Sequence, residues 1–399
     1  MTCDFLIVGA GIIGLSMAHN LRKRYPDASI VVLDKEDEVG RHASGRNSGV
    51  LHAGFYYTAD SLKARFTRDG NRAMREFCET YKLDINPCGK VVVAQNEAER
   101  QTLHELLRRG EANGVEVRII SEEEATEIDP NIRTYREALH SPTTATVDPR
   151  QVLEKLRHIV VSEGTRLMLG NPWMGNLGNN HVMTRTHTLT AGKIINCAGL
   201  YADRIAQAYG FGERYTILPF KGIYLKYSGE PAPVRTNIYP VPKLENPFLG
   251  VHYTVTVDGT VKIGPTAIPA FWRENYRGLE RFRPDELTEI LWYDAKLFAT
   301  DSFGFRKLAL EEFRKYSKEH LAKLAAGMVR QIEPERFDTW STPGIRAQLL
   351  DKASLELVQD FIVEGDGHSV HVLNAVSPAF TCALPFTEWV IEEYIDGTK

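Results

Sequence analysis

The sequence predicts an α/β (α+β) chain: a Rossmann-like dinucleotide-binding domain with an inserted mixed β-sheet domain. Three observations carry that prediction. The opening DFLIVGAGIIG is an apolar strand running into Gly9-x-Gly11-x-x-Gly14, the strand–turn–helix order that a nucleotide pyrophosphate requires. A second apolar strand, KIINCAG at 193–199, stops in small residues, and a third, at 369–373, runs into a turn and a final helix. Between them the stretch 216–264 turns β-rich. The three apolar strands are expected to share one parallel sheet, with the β-rich middle inserted and a single crevice between the two units.

Each part of the first forty residues has a physical task. Gly9 permits the tight turn, Gly11 lets backbone approach a pyrophosphate, and Gly14 lets helix and strand pack closely. Ile12 and Ile13 open the helix, whose free N–H groups and positive dipole end suit phosphates. A strand at 30–33 ends in Asp34-Lys35, and Asp34 lies 20 residues beyond Gly14, where an acid accepts hydrogen bonds from a ribose diol. This motif alone does not choose between NAD and FAD.

Further along, 61–83 reads as a helix with an apolar stripe at Leu62, Phe66, Ala73 and Phe77. A short strand at 91–94, a charged helix at 97–113 and a helix at 151–163 behind Asp148-Pro149 follow. A strand at 166–169 and a hairpin around Asn179-Asn180 lead to 193–199. Strands are expected near 217–227, 236–239, 248–257 and 260–264, the last two joined by Asp258-Gly259. Residues 271–333 read as a mostly helical, aromatic-rich insert. Its Phe271, Trp272, Tyr276, Phe282, Trp292, Tyr293 and Phe298 suit a core and domain interface, or a face that dips into a membrane surface. The final helix, 380–395, is expected to take Ser377 as N-cap and Pro378 as its first residue. The division that results gives 1–84, 143–214 and 340–399 to the dinucleotide domain, and 85–142 and 215–339 to the second.

Bulk properties narrow the function. Lys+Arg 48 against Asp+Glu 52 in 399 residues gives a net charge of −4, so no basic field calls for nucleic acid. Five scattered cysteines without a CxxC pair fit a reducing compartment and give no metal signature. No apolar run approaches the ~18 residues of a membrane span. The first strand starts at Asp4, so no leader is expected. The expected location is cytoplasmic, with peripheral contact at the inner membrane as the alternative.

Several residues could carry chemistry. Arg346, in PGIRA, is either a carboxylate clamp, through its planar fork, or a surface arginine after a turn. Strand alternation puts Val251, Tyr253, Val255 and Val257 on one face, and His252 with Gly250, Thr254 and Thr256 on the other. That second face sees solvent unless it roofs the crevice. Lys221 and Tyr239 are, each alone, ordinary strand residues. His52 follows Gly49-Val-Leu and precedes Ala53-Gly54, small residues that allow close approach of a planar ligand. At an unperturbed pKa of about 6.5 a histidine can take a hydroxyl proton. His42 has no comparable setting and reads as a loop residue.

In order along the chain stand GAGIIG, GRNSGVLHAGFYY, CGKVVVA, NCAGLYADR, PFKGIY, NIYPVP, FLGVHYT, GPTAI, PGIRAQ and NAVSPAFT. This series resembles the L-2-hydroxyglutarate oxidases/dehydrogenases, flavoproteins of the D-amino-acid-oxidase (glycine oxidase-like) superfamily. The resemblance covers nearly the whole chain and is weakest between 280 and 340. It implies FAD with its adenine end near Asp34. Ser44, Arg46, Asn47, Ser48 and Gly49 would wrap pyrophosphate and ribityl chain, and Ala198, Gly199, Asn374, Ser377, Pro378 and Ala379 would lie against the ring system. It further implies that Arg346 clamps the substrate's 1-carboxylate beneath a roof of His252, Tyr239 and Lys221. His52 would draw the 2-hydroxyl proton as hydride passes from Cα to flavin N5, giving 2-oxoglutarate. Lys221, His252 and Arg273 are the candidates for a distal carboxylate, and oxygen or a quinone for the electron acceptor.

The chain departs from the pattern at named places. Asp34 and Arg46 stand where the family usually has Glu and His, Lys221 replaces an arginine, and NAVSPAFT replaces the more usual NAPSPAAT. The rival activities are those of a glycerol-3-phosphate oxidase, whose phosphate would want several converging cations, and an amino-acid oxidase, which needs no base beside a hydroxyl. A non-catalytic flavin-binding partner protein is the rival outside enzymes.

Overall fold

The computed structural model describes residues 1–242 and 249–397. Thr2–Val8 is the centre of an eight-stranded sheet, parallel to both Ile30–Leu33 and Thr188–Asn196. Arg166–Met168 extends it beyond Ile30–Leu33, and Ser369–Asn374 adds a further parallel strand beside Thr188–Asn196. The three apolar strands of the sequence thus do share one sheet. Helices cover it because parallel strands must bury both faces. Ile12–Arg24, Pro149–Ser162 and Ala379–Ile391 contribute to the core with Ile7, Leu15, Leu153 and Phe386. Leu62–Tyr81, capped by the Ser61 hydroxyl on the Ala64 N–H, lies so close to the last helix that a Cβ on Gly70 would stand 2.2 Å from the Thr381 carbonyl oxygen.

A second eight-stranded sheet is mixed, with Asn237–Pro240 parallel to Lys90–Val93 and its other pairs antiparallel. A three-stranded ribbon, Ile268–Pro269, Tyr215–Gly222 and Gly344–Asp351, stands apart from both. The Asp258-Gly259 hairpin is present between His252–Val255 and Val261–Gly264, with Gly259 at φ +81°. The strand expected at 248–257 begins only at His252, and its first position, 248, lies outside the described residues.

Two expectations need correction. The last helix starts at Ala379, with Pro378 at the cap position and no side-chain cap. A backbone turn, the Ala379 N–H on the Val376 carbonyl, closes this end, and Ser377 is left on a cavity wall. The aromatic insert is helical only from Pro284, as Pro284–Thr300, Phe305–Arg314 and Lys318–Ala326. Its aromatics divide: Trp272 and Tyr276 are buried, whereas Trp292 and Phe298 are about half exposed. Among the described residues no helix is long and apolar enough to cross a membrane.

Gly14 shows how tightly the nucleotide turn is built. A Cβ there would lie 1.8 Å from the Gly9 carbonyl oxygen, a backbone atom that cannot swing aside. Gly14→Ala is expected to cost about 3 kcal/mol, the upper end for overpacking. Thermal unfolding together with bound-cofactor content would check it, and an unchanged Tm would contradict the contact.

Candidate active site

A cavity of about 770 Å³ opens at the carboxyl ends of the parallel strands, where open α/β sheets place their ligands. This volume lies toward the upper end of the ~300–1,000 Å³ usual for ligand sites. Its walls come from the glycine turn, residues 40–52, the ribbon, an arm at 274–286 and the turn at 375–381.

The glycine turn is fitted to its neighbours. Gly9 takes φ +111°, and a Cβ there would meet the Cys197 carbonyl oxygen at 2.4 Å. Gly9, Gly11, Ile12, Ile13, Asp34, Lys35, Ser44, Arg46, Asn47, Ser48, Ala198, Gly199, Ser377, Pro378 and Ala379 all line the cavity. The Ser44 hydroxyl accepts from the Ile12 N–H at 2.9 Å, at the start of the first helix. Asp34 accepts from the Ala10 and Glu36 N–H groups at 2.7 and 2.9 Å, and burial raises its pKa. Arg46 is stretched over the Tyr276 ring at 4.2 Å, with Nε on the Arg41 carbonyl. Asn47 shapes its own loop, taking the Gly49 N–H at 2.8 Å and donating to the Ser44 carbonyl at 2.6 Å.

Three expected cofactor contacts are displaced. Gly14 and Gly49 serve packing and loop geometry off the cavity wall, the latter beside the Val147 carbonyl. Asn374 is fully buried and ties down the neighbouring segment through the Val358 and Asp360 carbonyls.

Beyond the turn, His52 and Arg346 line the same cavity. The His52 N–H donates to the Thr381 hydroxyl at 3.2 Å, and its carbonyl accepts from the Asn71 amide at 3.3 Å. Two helices thereby fix a histidine that follows the two-residue strand Val50–Leu51. Burial, with the positive charges of Lys90 and Arg346 nearby, holds its pKa well below the usual value. A neutral imidazole at neutral pH is the form that can accept a proton. Arg346 stands opposite Phe220 in the ribbon, so strand alternation turns both toward the cavity. Burial lowers its pKa, and Tyr224 and Tyr57 act the other way.

The same register moves Lys221 away. It pairs with Ile345, on the opposite face from Arg346, and its ammonium reaches Asn275 at 3.4 Å. Arg273, another candidate for the distal carboxylate, is wholly buried in a bidentate pair with Asp203 at 2.6 and 2.8 Å. His252 and Tyr239 are buried as a stacked pair, with centroids 3.7 Å apart and planes at 16°. The His252 Nδ1–H is held by the Gly250 carbonyl at 2.8 Å, and burial pushes its pKa down to about 3. Neither ring lines the cavity. The face expected to meet solvent or roof the crevice is buried instead, off the cavity wall.

Side chains that sequence reading passed over complete the site. Lys90, in CGKVVVA, has Nζ 3.4 Å from His52 Nδ1. Tyr224, at the end of PFKGIY, lines the cavity, as does Thr381. At the other end, His42 bonds Tyr276 Oη at 2.7 Å and Glu36 at 3.0 Å, so it is a node and not a plain loop residue. Glu36 and Glu274 share Arg281, and Lys35 also bonds Glu274. His42 and Arg281 hold the Glu36 carboxyl far below the usual range. Glu36, His42 and Glu274 could geometrically face one cation, but Arg281 and Lys35 already neutralise their charge. The network links the segment after the second strand to the arm at 274–281, across the nucleotide end of the cavity.

Comparison with known proteins agrees with this architecture. The family model for FAD-dependent oxidoreductases (DAO) matches residues 4–392. The L-2-hydroxyglutarate dehydrogenase of Escherichia coli K12 is 35% identical, over 98% of this chain and 92% of that protein. The mitochondrial L-2-hydroxyglutarate dehydrogenase of Bos taurus is 33% identical, over 98% and 88%. Among solved structures, the FAD-bound L-α-glycerophosphate oxidase of Mycoplasma pneumoniae superposes with TM-score 0.74 at 23% identity, covering 98% of this chain and 94% of that one. Glycine oxidase from Geobacillus kaustophilus gives 0.71 at 17% identity, covering 100% and 95%. The cavity suits the group: a glycine turn without room for side chains, a helix N-terminus and an acid after the second strand lie along one wall.

Proposed function

Because the chain belongs to the FAD-dependent oxidoreductase family, we propose that it oxidises an L-2-hydroxy acid, L-2-hydroxyglutarate, to 2-oxoglutarate. The observation that carries this reading is that His52 and Arg346 line the same cavity as the glycine turn. The named activity of the relatives at 33–35% identity supports the substrate.

Gly9, Gly11, Ile12 and Ile13 would hold the pyrophosphate of FAD, and Asp34 its ribose. Ser44, Arg46, Asn47 and Ser48 would serve its middle, and Ala198, Gly199 and Ser377–Ala379 its ring end. When bound, it takes up the hydrogen and electron pair of the substrate's Cα–H bond. The protein supplies orientation and charge. Arg346 takes the 1-carboxylate in its planar fork, and His52 accepts the 2-hydroxyl proton. The last helix begins at the cavity wall, so its N-terminal dipole end favours negative charge developing there. Apolar Phe220 and Phe380 keep bulk water from the reacting atoms. The shared sheet of Thr2–Val8, Ile30–Leu33, Arg166–Met168, Thr188–Asn196 and Ser369–Asn374 supports giving 1–84, 143–214 and 340–399 to the FAD-binding unit. Oxygen or a quinone takes the electrons, and half-exposed Trp292, Phe298 and Leu310 support peripheral membrane contact.

Anaerobic mixing tests the reading. L-2-Hydroxyglutarate is expected to bleach the yellow enzyme within seconds, and its D-enantiomer is not. Bleaching by glycerol 3-phosphate or an amino acid, with none by L-2-hydroxyglutarate, would sink it.

A further inference from the structure

Lys90 opens the strand Lys90–Val93 and is completely buried. Its Nζ stands 3.4 Å from His52 Nδ1. Aromatic rings surround it, with Tyr239 at 4.2 Å, Tyr56 at 5.3 Å and Phe55 at 5.7 Å from Nζ to the ring centroids. Among the described residues no carboxylate forms an ion pair with it. Burial pulls its pKa down to about 7, with the Cys88 thiol acting in the opposite direction. The other titratable groups facing the pair are His252, Tyr56 and Tyr239, together with Arg346 from the cavity side. A lysine that served only to fill space would not need its amine against the ring nitrogen of the proposed base.

The two protonation states of Lys90 have opposite effects on His52. An ammonium donates to Nδ1 and so places the ring's own proton on Nε2, leaving no lone pair for a substrate hydroxyl. A neutral amine accepts from Nδ1–H and leaves Nε2 open. Resting on the hydroxy-acid reading, we infer that Lys90 is a proton relay behind His52: its amine receives the Nδ1 proton as Nε2 takes the proton of the substrate hydroxyl.

The step balances. The O–H and Cα–H bonds break and C=O forms; the hydroxyl proton goes to Nε2 and the Nδ1 proton to Lys90. The Cα hydrogen leaves with its electron pair to FAD, the oxidant that the family's activity supplies. The positive charge finishes as an ammonium among three ring faces, which attract it. Lys90 is therefore a positioning residue that acts through His52, and the two titrate as a unit. Below about pH 7 the ammonium holds His52 in the wrong tautomer, and above it the amine frees the base, so flavin reduction rises with pH through that point.

The test compares Lys90→Met and Lys90→Arg in the FAD-loaded enzyme, using anaerobic single turnover with L-2-hydroxyglutarate. A permanent guanidinium cannot accept the proton, so Lys90→Arg is expected to lose about 100-fold or more at every pH, within the range for general-base catalysis. Lys90→Met leaves His52 free to choose its tautomer and is expected to lose about 10-fold, with the acid limb displaced from that of the wild type. A merely structural cation predicts the reverse order, with arginine restoring what methionine loses. Selective 15N-histidine labelling reads the tautomer without turnover. The wild type is expected to pass from Nε2–H to Nδ1–H between about pH 6 and about pH 8, while Lys90→Arg stays Nε2–H. Should either variant fail to fold, Tyr239→Leu removes one ring face and is expected to move the wild-type acid limb downward by about half a unit to one unit. A bleaching wild type with the same acid limb in all variants, or with arginine more active than methionine, overturns the relay alone. A wild type that no 2-hydroxy acid bleaches at any pH removes the substrate reading and the relay together.

Discussion

Arg346→Lys is expected to lower kcat/KM about 100-fold while the flavin stays bound. A lysine keeps the charge but loses the planar fork, so one of two parallel charge-assisted bonds to the 1-carboxylate disappears. A factor of 100 corresponds to about 2.8 kcal/mol, at ~1.4 kcal/mol per tenfold. The arginine stands on the ribbon strand Gly344–Asp351, opposite Phe220, so the shorter side chain has no loop to carry it forward. Steady-state kinetics with L-2-hydroxyglutarate, beside the flavin content of the purified variant, checks the result. An unchanged kcat/KM would show that the guanidinium holds no carboxylate.

His52→Gln is expected to lower the single-turnover rate about 1,000-fold, within the ~10²–10⁴ usual for a lost general base. Glutamine roughly preserves volume and can still bond a hydroxyl, but it cannot accept its proton at neutral pH. The backbone contacts of residue 52 with Thr381 and Asn71 do not depend on the ring, so folding and flavin binding are expected to survive. Binding of 2-oxoglutarate, followed by perturbation of the flavin spectrum, should weaken far less than the rate falls. A rate within tenfold of wild type would assign proton removal to another group.

The legible parts of this protein are those specified by neighbours in sequence. Gly9-x-Gly11-x-x-Gly14 and the apolar strands on either side announce the nucleotide sheet because turn, helix and strand are all local. His52 could be singled out because small residues flank it. What could not be read was facing. Lys221 and Arg346 look equally placed in PFKGIY and PGIRAQ, yet the pairing of Phe220 with Arg346 turns one side chain into the cavity and the other out of it. A one-residue slip would reverse them. Alternation separates His252 from Val251 and Tyr253, but nothing local reveals that Tyr239, from another strand, covers it. Arg273, a free cation in sequence, is consumed by Asp203. Lys90 and His42 draw their roles from partners distant in the chain, His52 for one and Tyr276 for the other. A charged residue at the start of a strand gave no hint of the first, and a basic loop gave none of the second.

The order in which strands enter the sheets has a consequence for the protein's birth. Thr2–Val8 cannot pair with Thr188–Asn196 until that strand exists, and Ser369–Asn374 joins the same sheet later still. Lys90–Val93 likewise waits for Asn237–Pro240. Contacts of such long sequence separation close large loops before they give stability, and they slow folding. A nascent chain therefore carries Thr2–Val8 and Lys90–Val93 each with one edge unpaired until these partners are made, a condition under which aggregation competes. The cavity wall at Ser377–Ala379 is made long after the glycine turn that faces the same cavity. FAD capture therefore waits for both walls, and flavin, by binding only the finished fold, stabilises it.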